Sequence, residues 1–370
     1  VMRVFKLTGV IQQYNWGGTS FLSRLTNQVD VGQKAAEYWM GAHDKAPSLV
    51  NTTGETLNDL IRKQPSETLG EQVYSRFGRL PFLFKVLDVK DLLSIQVHPS
   101  KKEAEKGFAL ENEQGVPLSA AHRNYKDDNH KPEIMVALGE FWLLHGFKPQ
   151  SELMKTLQTI PELSHLTTVF QNGGYQGLYK KVMEESVDET NEVLMPLIQR
   201  LLPQYQSGVL AMASPEYWAI KAYQTFCPEG NLDKGIYSIF FFNIVRVQEG
   251  EAVFQDAGVP HAYMLGQNIE LMANSDNVLR GGLTPKHVDV PELLKHITFK
   301  ETIPDVLNGE VQPDGVEQIY KSPAPDFELS KLIIEADKVY ESDSLTLEIF
   351  IVIKGEVKVR ADIEVIVASA

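Results

Sequence analysis

SIFFFNIVRVQEGEAVFQDAGVPHAY, residues 238–263, reads as strand, turn and strand, and it decides the fold because it resumes a β pattern that the chain leaves at about Gln150. Apolar residues fill Ser238 to Val247, Gly250 supplies the turn, and the following apolar run ends on His261. Upstream of Gln150 the same grammar applies: short runs such as Leu93 to Val97 and Ile134 to Leu138 stand between Gly, Pro and Asn, with a helical interruption near Thr56 to Lys63. Between the two β regions, from Ser151 to about Lys234, the period is helical. Val193, Leu194, Leu197, Ile198 and Leu201 recur at steps of one and three and fall on one face. A barrel with halves on either side of such an insert has to close around it. The expected fold class is therefore mainly β with a helical insert: a discontinuous barrel from residues 1–150 and 235–300, an α-helical insert over 151–234, and a C-terminal barrel over 301–370.

The last region repeats the strand pattern without the chemistry. Leu345, Leu347, Ile349, Ile351 and Ile353 alternate as a strand with one buried face should. Setting Gly355-Glu356 against Gly250-Glu251 places Ile366 where His261 stands, so this barrel is expected to carry no metal.

Three segments bring potential ligands: LSIQVHPS (Leu93 to Ser100), DNHKPE (Asp128 to Glu133) and GVPHAY (Gly258 to Tyr263). Gln96 and His98 lie two apart in an apolar run, so on a strand both point to one face and can chelate. Glu133 adds an anionic oxygen and His261 a second ring nitrogen. Such an N2O2 set with one formal negative charge suits Zn2+ with an open position, and Mn2+, Co2+ and Fe2+ are the alternatives. Taken singly, the segments are a polar strand face, a turn and a loop with a histidine; the metal reading comes from the three together.

With 370 residues and 43% hydrophobic composition, the chain can build two or three cores. No run of about 18 apolar residues appears and no basic-then-apolar leader opens the chain, so a soluble, cytoplasmic protein is expected. Val1 ahead of Met2 reads as a remnant of expression. Cys227 is the only cysteine, which excludes an intramolecular disulfide and a thiolate metal cage. The formal charge of −14 argues against a nucleic-acid or anionic-membrane surface. It leaves room for a small anionic substrate, because screening over roughly 8–10 Å lets a few local cations govern one pocket. Lys85, Lys131, Arg280 and Lys286 are the cations that flank the ligand segments.

From Glu270 the chain reads ELMANSDNVLRGGLTPKHVD, and here it resembles the type I phosphomannose isomerases, also called mannose-6-phosphate isomerases. YNWGG (Tyr14 to Gly18), AEYWMGAHDKAPS (Ala36 to Ser48), PFLFKVLDVKDLLSIQVHP (Pro81 to Pro99), DDNHKPE, VPHAY and SDNVLRGGLTPK (Ser275 to Lys286) carry the resemblance, in order, over about the first 300 residues. Tyr38 and Asp44 depart from the family's usual Leu and Pro, outside the chemical segments. The resemblance implies cupin-type jelly-roll barrels, of which the C-terminal one reads as incomplete where the chain stops at Ala370.

The resemblance also implies an activity: reversible conversion of mannose 6-phosphate to fructose 6-phosphate through a cis-enediol, with one divalent metal, most readily Zn2+, on Gln96, His98, Glu133 and His261. Arg280 matches the family's active-site arginine, and a guanidinium can donate a forked pair of hydrogen bonds to an oxyanion. Lys131 and Lys286, and less closely Lys85, match lysines that border the pocket. Ser94 is a candidate hydroxyl for phosphate, and Trp16 and Glu270 resemble pocket-wall residues. The general base stays open among a metal-bound water, Lys131 and a nearby carboxylate. A dioxygen-activating cupin and a non-catalytic sugar-binding barrel are the competing classes; the lysines and Arg280 speak against the first and the complete ligand set with Arg280 against the second. A monomer is the expected state.

Overall fold

The computed structural model describes residues 2–362 and 364–370, so Val1 lies outside the described residues. Eleven strands join in one hydrogen-bonded sheet whose axis is the 13-residue strand His261–Ala273. The second half of that strand, Gly266–Ala273, pairs antiparallel with Phe82–Val89, and its other edge pairs with Glu133–Ala137. The first half pairs instead with Phe141–Phe147 and, at His261, with Gln96–Val97. A bulge between Tyr263 and Leu265, followed by Gly266 at φ 128°, separates the two halves. A bulge bends and twists its strand, and this one lets a single strand belong to both wings of the sheet.

Outward from this axis, Phe82–Val89 leads to Glu37–Gly41 and Val10–Gln12, while Glu133–Ala137 leads to Glu251–Gln255 and Leu307–Asn308. On the other wing Phe141–Phe147 pairs with Phe242–Val247, and Gln96–Val97 pairs with Leu279–Arg280. Met135, Ala137, Leu143, Val253 and Tyr263 meet on the inner face. Their neighbours in sequence face outward: Ile134, Val136, Ile269 and Leu271 into a second cluster, and Ile95, Val97, Leu144, Ala262 and Met264 against the helices. Burial on both faces is why these strands read as nearly continuous apolar runs.

The helices Gln150–Thr159, Leu166–Met183, Val187–Gln206 and Pro215–Phe226 fill the segment where a helical period was read. Ser186 and Glu189 form a reciprocal capping box at the start of Val187–Gln206, and Leu194, Leu197, Ile198 and Leu201 are its buried stripe. Each such side chain, fully buried, contributes roughly 1.5–3 kcal/mol.

Two strand expectations change. Ser238–Phe241 is not strand but the end of helix Gly235–Phe241, and the strand begins at Phe242. All seven residues of that helix are buried, and a continuous apolar run has no period by which helix and strand can be told apart. Residues 345–353 make no strand ladder: Ile349, Ile351 and Ile353 lean on the same cluster as Ile269 and Leu271, whereas Leu345 is 83% exposed. Their alternation records one side resting on a core, without a paired neighbour. Before this segment Glu310–Val311, Glu317–Tyr320 and Leu329–Leu332 form a three-stranded sheet, and after it Glu356–Ala361 with Glu364–Ser369 make a separate hairpin in which Ile366 lies opposite Val359.

Candidate metal centre

Strand register assembles the site. Gln96 lies opposite His261 on one side and Arg280 on the other, and His261 lies opposite His145. Directly opposed residues share a face, so Arg280, Gln96, His261 and His145 form one row across four strands. Glu133 opens the neighbouring strand opposite Gln255 and Met272, and His98 follows the Gln96 strand directly.

The ligand atoms of His98, Glu133 and His261 lie within 4.8 Å of one another, and all three residues are buried. His98 Nε2 stands 3.3 Å from Glu133 Oε1, and His261 Nε2 stands 3.6 Å from Glu133 Oε2. The other nitrogen of each ring fixes its tautomer. His98 Nδ1 faces the Asn277 carbonyl at 3.0 Å, and His261 Nδ1 faces the Val259 carbonyl at 2.9 Å. A carbonyl only accepts, so each Nδ1 carries the proton and each Nε2 presents a lone pair. Both Nε2 atoms are buried without a hydrogen-bond partner. Two lone pairs and a carboxylate converging in a buried space repel one another unless a cation stands among them, so the residues present fit a divalent metal.

The electrostatics agree. Burial pushes His98 down to about 4, against the pull of Glu133, so the ring is neutral at pH 7 as a ligand must be. Burial would raise Glu133, but His98 and His261 in their protonated forms, with Lys131, hold it well below the usual carboxylate range. His145 is also pushed down to about 4, by burial first and by His261 second, and its Nδ1 pairs with Gln255 Oε1 at 2.8 Å.

Beside the cluster lies a buried ionic network. Lys85 Nζ donates to Glu37 Oε1 at 3.1 Å, stands 3.7 Å from Glu270 Oε2, and sits 4.7 Å above the Trp39 ring. Burial works to lower Lys85, but Glu37 and Glu270 outweigh it and hold the ammonium above its ordinary range. Tyr263 OH donates to Glu270 Oε1 at 2.7 Å. Burial, with Glu133 nearby, raises Glu270 to about 7 against the opposing pull of Lys85. A carboxyl poised there can both take and return a proton near neutrality.

The remaining candidates are spread along the rim. Lys131 Nζ is 3.7 Å from Glu133 Oε1 and largely buried. Arg280 is half-buried, and Lys286 is exposed on the following loop. Arg280 lowers Lys286 first and burial second, which marks the two as close neighbours, and Arg280 also acts on Lys126. Trp16 is half-buried, 5.8 Å from the Tyr14 ring, and packs against the inner cluster. Ser94 is half-buried in the segment before Gln96.

Several residues of this site went unselected in the sequence. Glu37 and His43 lie within AEYWMGAHDKAPS, and Asp276 and Asn277 lie within SDNVLRGG, so the motifs flagged the segments without showing what pairs with what. His43 Nδ1 accepts from the Lys45 N–H, which leaves Nε2 to donate to the Asp276 carboxylate at 3.0 and 3.1 Å. Asn277 accepts the Lys126 and Asp127 N–H groups at Oδ1 and donates from Nδ2 to the Asp127 and Asn129 carbonyls. That exchange binds the loop before Glu133 to the loop before Arg280.

A mainly β enclosure with a cation-ready His-Glu-His cluster, bordered by lysines and an arginine, has the architecture of a metal-dependent enzyme for an anionic substrate. Comparison with known proteins makes this specific. Residues 4–150 match the family described as phosphomannose isomerase type I, catalytic domain. The mannose-6-phosphate isomerase of Escherichia coli is 39% identical over 333 residues, 88% of this chain and 82% of that relative. The mannose-6-phosphate isomerase of Macaca fascicularis is 32% identical over 390 residues, 96% and 88% of the two chains. The crystal structure of the Salmonella typhimurium enzyme bound to fructose 6-phosphate and zinc superimposes with a TM-score of 0.85 at 33% identity, covering 99% of this chain and 92% of that one. The chain belongs to the mannose-6-phosphate isomerase family, type I.

Proposed function

We propose that this chain interconverts mannose 6-phosphate and fructose 6-phosphate by moving a proton between C1 and C2 through a cis-enediol. The observation that carries this reading is the buried pair of unpartnered imidazole nitrogens facing Glu133, beside a carboxyl tuned to about 7 and a rim of cations. Gln96, His98, Glu133 and His261 would hold one zinc ion. When bound, such an ion polarises substrate oxygens as a Lewis acid.

The chain's own groups do the rest. Glu270 takes the proton from one carbon and returns it to the other, with Tyr263 fixing its orientation. Lys85 stays charged between Glu37 and Glu270 and keeps the two carboxyls together. Arg280, charged at any working pH, stabilises the negative charge of the enediolate as it develops. Lys131 and Lys286 bind the phosphate with Ser94 as a hydroxyl donor, and Trp16 walls the sugar.

The same reading covers organisation. The eleven-stranded sheet is read as a cupin-type jelly-roll barrel built from residues 1–150 and 235–300, with the short strand Leu307–Asn308 added at its edge, 151–234 as a helical insert and 301–370 as a second, metal-free barrel-like region. Among the described residues no helix is long and apolar enough to cross a membrane. A cytoplasmic monomer acting on a small sugar phosphate is the assigned state. A coupled assay of zinc-replete protein with mannose 6-phosphate tests the activity; absence of fructose 6-phosphate formation refutes it.

A further inference from the structure

We infer that Asp233 is a positioning residue for Arg280: its carboxylate fixes the backbone of the loop that follows the arginine, and through that backbone the guanidinium. The inference rests on the reading of Arg280 as the group that stabilises developing charge.

Asp233 stands at the end of the helical insert, far from Arg280 in sequence, yet it gathers backbone donors from both places. Oδ1 accepts from the Gly235 N–H at 2.7 Å and from the Leu283 N–H at 2.8 Å, and Oδ2 accepts from the Thr284 N–H at 3.1 Å. The loop it holds is an unusual one. Gly282 has φ 108° and Leu283 φ 54°, the latter a left-handed conformation that a residue with a branched side chain adopts only when its surroundings impose it. Contact with the insert is backbone on backbone: a β-carbon on Gly282 would lie 2.7 Å from Gly235 Cα, and one on Gly235 would lie 2.6 Å from Leu283 N. On its other side the loop is hydrogen-bonded to the metal-bearing segment, from Gly281 N to Ile95 O at 2.9 Å and from Ile95 N to Gly282 O at 3.1 Å.

Arg280 depends on this frame because, among the described residues, its guanidinium makes no side-chain hydrogen bond or ion pair, and burial lowers its basicity. Its position is therefore set by where the backbone places it, with Gln96 on one flank and the Asp233-held turn on the other. An asparagine keeps the shape of Asp233 but turns a donor toward the Thr284 N–H, which loosens the turn without emptying the site.

The test is a double-mutant cycle on the zinc-loaded enzyme with mannose 6-phosphate. Asp233→Asn is expected to lower kcat by about 10–100-fold, the cost of a displacement on the order of 1 Å, with KM within about threefold and zinc content unchanged. In an Arg280→Ala background the same substitution should change kcat no further, because the group it serves is gone. An equal loss in both backgrounds, or a kcat within about twofold of the parent, overturns the inference. If Asp233→Asn lowers the yield of folded protein, Gly235→Ala makes the same comparison, since its methyl would lie 2.6 Å from Leu283 N and 2.9 Å from Asp233 Oδ1 and so disturb the same contact without removing the charge. An Arg280→Ala enzyme that retains kcat would sink the reading of Arg280 itself, and that single variant shows it separately.

Discussion

The backbone carbonyl of Asn277 lies 3.0 Å from His98 Nδ1, and the side chain of the same residue is wholly buried between two loops. His98 is thus aimed by a residue whose own position depends on Asp127 and Asn129. Asn277→Ala should weaken zinc affinity by about 10–100-fold without removing a ligand. Competition against a chromogenic chelator measures it; an unchanged affinity would remove Asn277 from this role.

Metal and fold should be coupled at His98. His98→Ala should lower zinc content and kcat together, by at least about 10-fold. In the parent, saturating zinc should raise Tm, by about 2.7 kcal/mol of added stability at a free concentration 100 times Kd. Full activity in chelated protein ends the metal assignment.

Phosphate recognition should reside in the rim cations. Lys131→Ala and Lys286→Ala are expected to reduce kcat/KM for mannose 6-phosphate by about 10-fold or more, the factor for roughly 1.4 kcal/mol of a charge-assisted contact. Free mannose should be a poor substrate for the parent. Equal kcat/KM for mannose and mannose 6-phosphate means there is no phosphate receptor.

Arg280 separates catalysis from binding. Arg280→Ala should cut kcat by on the order of 10²–10³ with a much smaller change in KM, at normal zinc content. Lysine should rescue it only in part, since an ammonium lacks the planar fork. A variant whose kcat holds while KM climbs would make Arg280 a binding residue instead.

Glu270 should set a pH dependence. Its carboxylate is the form that accepts a proton, so kcat/KM should climb with pH through about 7, and Glu270→Gln should abolish most of the activity together with that ascending limb. For stability the sign is the opposite. The folded chain keeps a proton that the unfolded chain releases above about 4.5, so this group's contribution is present below that value and is lost as pH rises through about 7. A flat profile between pH 6 and about 8 for the parent would count against Glu270.

What was readable in the sequence was local. Gln96 and His98 declare themselves because a strand puts residues two apart on one face. The helical insert declares itself through Leu194, Leu197, Ile198 and Leu201. What pairs across strands did not, because register is a property of two segments at once: Lys85 and Glu37 are 48 positions apart, and His98 and Asn277 are 179 apart. Ser238–Phe241 and residues 345–353 misread for a related reason. In the first, burial on every side erased the period; in the second, alternation existed without a neighbouring strand to pair with.

The bulge in the strand His261–Ala273 has one more consequence. His261 and Glu270 are separated by an odd number of positions, so in an unbroken strand their side chains would leave opposite faces. Yet Tyr263, in step with His261, donates its hydroxyl to Glu270. The irregularity between Tyr263 and Leu265 shifts the parity, so that odd positions point inward before it and even positions after it. By absorbing one supernumerary residue, the bulge lets a single strand present both His261 and Glu270 to the same chamber. Straightening the bulge with Met264 still in the chain would restore simple alternation and turn Glu270 out among Ile134 and Val136, whereas deleting Met264 would leave an even separation that keeps Glu270 facing the metal cluster.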